Sequence, residues 1–403
     1  VQTNRRMALQ PPACLASQKA THKHLTEVYD RIETAASNKL WHQATLGMEE
    51  LVKDPVFQTA GNTDLLVLYR EFVADQPSSS AWTGYASKMN AVKQASLVIV
   101  VSKQNGDTAE GIDAAIKFLE EVGEKLKTDK EATLLIRMEI ARRTLQKGKV
   151  DEAKAQVEEC ESILSDFSDL APSVNSAFYL VSSLLHKTLG NAGDFYKSSL
   201  LYLAYTPLET LSDTQKQALA FDLGLAALCG DKIYQFGELL LHPILESLKG
   251  TAGEWLVGML AAFNTGDIQA FEAVSAQHAA AINEQPALVA NTQALREKIR
   301  IFALMEHFRD MPADNRTVAF SSIAARTSLP EEEVELLLMK SLSLSLVKGS
   351  ISGVDGTFSV SWVQPRVMDR ESVGKQLGKL QDWMDKVQRT SVFLQNETPE
   401  ILA

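Results

Sequence analysis

This 403-residue chain lacks the motifs that carry chemistry. It has no Gly-rich phosphate loop ending in Lys-Ser/Thr, no His-Glu-x-x-His, no Gly-x-Ser-x-Gly and no Cys-x-x-Cys, so the usual signatures of nucleotide, zinc, serine-hydrolase and dithiol chemistry are missing. Cysteine is scarce: Cys14, Cys160 and Cys229 are far apart, odd in number and without metal-ligand spacing, which fits a reducing compartment and structural thiols. Long apolar runs are also missing. The longest, Ala95 to Val101, is interrupted by Ser96 and is far shorter than a membrane span. A net charge of −11 and a pI near 5.3 leave no concentrated basic field for a nucleic acid or a membrane surface. The chain is expected to have no catalytic residues, no cofactor and no metal.

The histidines do not change that expectation. His22 and His24 flank Lys23 in what reads as an N-terminal tail, and two histidines without a third ligand make a poor metal site. His42, His186, His242, His278 and His307 are scattered; His242, before Pro243 in an apolar run, reads as a packing residue. Residues 1–24 are expected to be flexible. Their Arg5, Arg6 and Lys19 precede the first acid, Glu27, as in a transit peptide, yet no apolar face is organised there, and Met7 is a candidate start. Asn315-Arg-Thr317 and Asn396-Glu-Thr398 match the glycosylation triplet, a pattern common by chance.

What the chain does have is periodicity. From about Lys103 to Ala280, apolar helices break at Gly-centred turns: Gly106, Gly148, Gly190, Gly230 and Gly266, spaced 42, 42, 40 and 36 residues apart. A period near forty residues is the mark of stacked helix pairs, with glycine taking the left-handed conformation after each first helix. An earlier pair is expected around Ser37-Asn38-Lys39, with asparagine in glycine's role. The stretch Asp75 to Ser80, followed by Trp82, Gly84 and Tyr85, reads as an irregular linker.

The last quarter changes character. Helices are expected over Ser321–Thr327 and Glu331–Leu346, with Pro330 opening the second. Val347, Ile351, Phe358, Val360 and Trp362 then stand at strand spacing on either side of Val354-Asp355-Gly356, where Asp-Gly suits a tight turn. Two helices and a hairpin make a winged-helix module. From Asp314 to Pro365 it carries six acids against four bases, and Glu331, Glu332, Glu333 and Glu335 crowd the end of the helix that a DNA reader would point at phosphates. Those carboxylates suit the positive end of the helix dipole instead. A winged helix used for protein contacts fits better, through an edge strand.

After Pro365 comes one helix whose apolar positions alternate in steps of four and three: Val373, Leu377, Leu380, Met384, Val387 and Leu394, with Ser391 in the remaining slot. So narrow a seam is satisfied only against other helices, and at about 1.5–3 kcal/mol per large side chain removed from water it can supply much association energy. The fold class expected is mostly α. TPR-like helix pairs span about 25–310, the winged helix spans 311–365 and forms a larger domain with the end of the array from about 190, and a bundle-forming helix and tail span 366–403.

This layout resembles the PCI-domain proteins of the proteasome lid, the signalosome and a translation initiation factor. Several strings are more specific: Asn38 to Leu46, Phe236 to Leu248, Ala262-Phe-Asn-Thr-Gly266, Val334 to Lys340, Leu346 to Ile351 and Trp362 to Val367. They resemble the non-ATPase regulatory subunit 13 family, the ninth non-ATPase subunit of the proteasome regulatory particle. The likeness runs from about Leu25 to the C-terminus and lapses at Gln76 to Asn90. It implies a non-catalytic scaffold of the lid in cytoplasm and nucleus, supporting degradation of ubiquitinated proteins. The implied partners are other PCI lid subunits at the winged helix, a helical bundle including the deubiquitinase pair at the terminal helix, and the ubiquitin receptor near the helical array. Spacing within the implied segments selects Val347, Lys348, Ile351, Phe358, Val360, Trp362 and Val363 for the first contact, and Val373, Leu377, Leu380, Met384, Val387 and Leu394 for the second. A PCI subunit of another complex and a winged-helix nucleic-acid binder are the alternatives.

Overall fold

A computed structural model describes residues 18–38, 40–54, 64–69, 89–106, 108–127, 129–167, 170–311, 316–367 and 370–397. The chain divides after Pro207 into two compact units, inside the 25–310 array expected from the repeat. The linker expected at 75–85, Cys14, Met7 and Asn315 lie outside the described residues.

Unit 1 is built of α1 (Thr26–Ser37), α2 (Trp41–Lys53), the short α3 (Asp64–Leu68), α4 (Ala91–Lys103), α5 (Ala109–Lys125), α6 (Lys130–Gln146), α7 (Val150–Ser165), α8 (Pro172–Leu189) and α9 (Ala192–Tyr205). Local chemistry starts these helices where they start. Asn90, Thr108 and Asp129 accept backbone N–H bonds at the N-caps of α4, α5 and α6, and Pro172 opens α8, where its missing N–H costs nothing. Gly106, Gly148 and Gly190 carry φ of +80°, +78° and +75° at the turns α4–α5, α6–α7 and α8–α9, so the left-handed turns expected from the repeat are present. One continuous core runs from Tyr29, Ile32 and Met48 through Val98, Leu119 and Leu135 to Cys160, Val174 and Val181.

Two expectations at the start of unit 1 are corrected. Residues 18–24 belong to the fold and not to a tail: His22 is buried and bonds the Asp64 carboxylate at 2.8 Å, while Lys19 pairs with Asp30 at 2.6 Å. Asn38 does not take glycine's role. Among the described residues only Ser328 and Ser345 combine a side chain with positive φ, and α1 closes instead through the Leu40 N–H on the Ala35 carbonyl.

Unit 2 contains α10 (Asp213–Cys229), α11 (Gly237–Leu241), a 3-10 segment (Pro243–Leu248), α12 (Glu254–Thr265), α13 (Ile268–Gln277), α14 (Ala279–Asn283), α15 (Pro286–Ala290) and α16 (Thr292–Asp310). The winged module follows: β1 (Thr317–Ala319), α17 (Phe320–Thr327), α18 (Glu331–Ser343), β2 (Val347–Ser352) and β3 (Thr357–Val363), then α19 (Arg370–Glu397). The mostly helical class, with repeated pairs ahead of a winged-helix module, is therefore the class found. Aromatic rings knit the unit: Phe302 lies 5.0 Å from Phe236 and 6.1 Å from Phe263, and Phe263 lies 5.2 Å from Phe271. Gly266 keeps the repeat's positive φ and has a second reason to be glycine, because a Cβ there would meet the Ala303 backbone at 2.8 Å.

Gly230 breaks the expected pattern. Its φ and ψ are −71° and 123°, so α10 ends in extended chain and leads into α11 and the 3-10 segment, not directly into an antiparallel partner. The helix-end carbonyls that a left-handed glycine would satisfy go elsewhere. Lys298 of α16 donates from Nζ to Ala227 O at 2.8 Å, Leu228 O at 3.0 Å and Gly230 O at 2.8 Å. A buried ammonium thus closes the negative end of α10.

Candidate subunit interface

The winged module grows out of its neighbour. Val318, Phe320, Ile323, Val334, Leu338, Leu346, Val347, Phe358 and Val360 are buried together, and Phe308 from α16 stacks on Phe358 with ring centres 5.4 Å apart. The sheet order is β1-β3-β2, all antiparallel. β1 was not expected; three residues carry too little pattern to announce a strand. α18 begins at Glu331 with Pro330 as its cap residue, not its first turn. It stops at Ser343, short of the expected Leu346, because Ser345 is left-handed at φ +56° and the Leu346 N–H returns to Ser341 O.

A bulge resets the hairpin. Val347 faces Val363 and Lys348 faces Trp362, but Gly349 faces Val360, leaving Ser361 as an extra residue on β3. Side chains alternate with period two, so one inserted residue reverses the parity beyond it. Trp362, expected on the face of Phe358 and Val360, is turned outward, where Lys348 Nζ lies 5.0 Å from its ring centre. Arg316 Nη1 donates to the bulged Ser361 carbonyl at 3.3 Å. Gly349 sits under Phe358, and a Cβ there would come within 2.6 Å of that ring.

The expected contact residues thus fall into two groups. The side chains of Val347, Phe358 and Val360 are committed to the module's own core and are not available to a partner, a correction to their expected role. Lys348 and Trp362 face outward, and Ile351 and Val363 are half-buried. β2 is an edge strand with β3 on one side, so among the described residues its outer N–H and C=O groups have no strand against them.

The chain leaving β3 is clamped. Arg366 donates to Asn264 O at 2.9 Å and Asn264 Oδ1 at 2.7 Å, pairs with Glu306 at 3.3 Å and lies over the Phe302 ring at 4.9 Å. Gln235 Nε2 donates to Pro365 O at 3.2 Å. From this anchor α19 runs 28 residues, about 42 Å at the α-helical rise. Val373, Leu377, Leu380, Met384, Val387 and Leu394 are all 50–60% exposed along it. Trp383, Val392 and Phe393, which the four-three stepping overlooked, are exposed as well. Trp383 was legible as the neighbour that widens the stripe at Met384.

Among the described residues no three His, Cys, Asp or Glu side chains are grouped to hold a metal, and no helix is long and apolar enough to cross a membrane. Burial pushes the Cys160 thiol up to about 11 and raises that of Cys229, the wrong direction for a nucleophile. His242 Nδ1 accepts the Ile244 N–H at 3.2 Å, a packing and capping role, and burial lowers its pKa.

Helix pairs, a winged helix with an open edge strand, and a terminal helix with an exposed heptad seam define an assembly subunit of the PCI type. The PSD13 N-terminal repeats match residues 28–260 and the PCI domain matches residues 275–362. The 26S proteasome non-ATPase regulatory subunit 13 homolog B of Arabidopsis thaliana is 42% identical over 96% of this chain and 98% of its own length. The 26S proteasome non-ATPase regulatory subunit 13 of Dictyostelium discoideum is 35% identical over 94% and 95%. The 26S proteasome regulatory subunit RPN9 of Saccharomyces cerevisiae is 30% identical over 91% of each chain. The chain belongs to the proteasome non-ATPase regulatory subunit 13 family, and it is a structural, non-catalytic regulatory subunit.

Proposed function

We propose that this chain is a scaffold of the proteasome regulatory-particle lid, in cytoplasm and nucleus, supporting the degradation of ubiquitinated proteins. The β2 edge, with Lys348, Ile351, Trp362 and Val363 beside it, pairs with another PCI subunit. The α19 seam enters a bundle with the terminal helices of other lid subunits, the deubiquitinase pair among them, and the helical repeats lie near the ubiquitin receptor. The observation that carries this reading is the exposed seam on α19: six large apolar side chains in heptad register are uncovered on a helix whose base is clamped by Arg366.

The test is incorporation. L380D/M384D places two charges in the seam, so the full-length variant should keep the wild-type circular dichroism and melting temperature yet be missing from assembled particles on a native gel. Wild-type amounts of the variant in full particles would overturn the proposal.

A further inference from the structure

The helix that a nucleic-acid reader would insert into the major groove carries a surface of a different kind. On α18, Val334, Leu337, Leu338 and Ser341 point inward, which leaves Leu336 and Met339, one turn apart, 66% and 54% exposed. Glu331, Glu332, Glu333 and Glu335 are all exposed around them, and among the described residues none is paired with a cation. The one cation of α18, Lys340, is engaged by Glu297 of α16. One or two acids suffice to complement a helix dipole. Four are more than that purpose needs, and Glu331 and Glu335, a turn apart, repel each other. Two large apolar side chains among them gain nothing from water.

We infer that this face of α18 docks a basic amphipathic helix of a partner subunit, whose apolar side chains cover Leu336 and Met339 while its Lys or Arg residues neutralise the four carboxylates. Charge complementarity selects that occupant. An acidic segment or a nucleic acid would bring more negative charge against an uncompensated −4, and an uncharged apolar helix would leave the carboxylates beside desolvated surface. Thirteen residues of helix span about 20 Å, so the contact is smaller than the roughly 800 Å² per partner of a standard interface. It is weak alone and acts once other contacts raise the effective concentration. It does not depend on α19.

The probe is a labelled amphipathic helical peptide of leucine and lysine, titrated against the full-length chain by fluorescence anisotropy, with a peptide bearing glutamate for every lysine as its mirror. The lysine peptide should bind, lose about tenfold in affinity on raising salt from about 50 to 300 mM, and lose at least about tenfold with either E332Q/E333Q/E335Q or L336S/M339S. Circular dichroism of both variants should match wild type, since all five positions are exposed. The inference is overturned if both variants bind as wild type does, if the glutamate peptide binds equally well, or if L380D/M384D alone abolishes binding. That last result would place the peptide on α19. Within the purified assembly, a photo-crosslinker at position 339 should capture a segment with Lys or Arg flanking apolar residues; capture of an acidic segment, or of none, counts against the inference.

Discussion

Arg366 reaches across 102 residues of sequence to hold both oxygens of Asn264, its main-chain carbonyl at 2.9 Å and its side-chain amide at 2.7 Å. Two bonds from one guanidinium nitrogen, with Glu306 on the other and Phe302 beneath the plane, fix where the chain leaves the winged helix. The launch point of α19 is thus set by a polar clamp in the core of unit 2.

Removing that clamp should be costly, because Arg366→Ala leaves both oxygens of the half-buried Asn264 without their donor and strips the Glu306 carboxylate of one of its guanidinium partners, Arg309 being another. Chemical denaturation should show a loss of about 2–4 kcal/mol. Arg366→Lys should recover little of it, since an ammonium cannot bridge two oxygens, face a carboxylate and stack on a ring at once.

Lys298 supplies a pH-dependent prediction. Burial pushes its pKa down to about 7 from the ordinary 10.5, while Cys229 and Asp231 oppose the shift. Above about pH 7 the folded chain has released this proton and the unfolded chain still holds it, so the unfolded state binds more protons and stability rises with pH. Below pH 7 both states are protonated and the contribution is flat. Lys298→Met should cost about 2–3 kcal/mol, through the carbonyls of Ala227 and Leu228 that lose their ammonium donor and that of Gly230, which keeps only the Ile233 N–H at 3.4 Å. Urea midpoints of wild type should rise relative to that variant between pH 7 and about 9.

The bulge at Ser361 makes two opposite predictions for the Lys348–Trp362 pair. Inserting one residue between Lys348 and Gly349 gives Ser361 a partner, restores strict alternation and turns Trp362 inward and the buried Val347 outward, so the module should lose more than about 3 kcal/mol. Trp362→Ser removes an outward-facing ring that lies against Lys348 and should cost less than about 1 kcal/mol. Thermal melts of the two full-length variants separate these outcomes.

α19 should be helical and unprotected in the free chain. Its helicity rests on local terms such as Asp382 with Lys386 and Asp385 with Arg389, which have the favourable order for about 0.3–0.5 kcal/mol each. Tertiary packing supplies most helical stability in proteins, so hydrogen exchange of residues 373–394 in the isolated chain should be orders of magnitude faster than in α16. Incorporation into an assembly should slow it. Equal protection in the free chain would mean that the seam is already covered.

Much of this architecture was legible because it repeats. The heptad of α19 and the forty-residue period are set by spacing alone, and Gly106, Gly148, Gly190 and Gly266 show the positive φ that the period predicts. Gly230 sits at the same period and departs from it, because its carbonyl is taken by a lysine 68 residues away. The winged helix was readable from its Asp-Gly turn and its two helices, but not β1, whose three residues gain strand character only by pairing with β3. Trp362 was misplaced because hydrophobic alternation cannot reveal an extra residue; only the register against Lys348 and Gly349 shows it.

By itself the sequence determined which stretches are helical, where most of the pairs turn and that the last helix carries a seam, since each depends on residues within a turn or two of one another. The tertiary structure decided which apolar side chains are spent on the chain's own core and which stay in water. Val347 and Phe358 went inside while Trp362, Leu336 and Leu380 did not. Burial is a property of what packs against a residue, and the partners that settle it here stand scores of residues away.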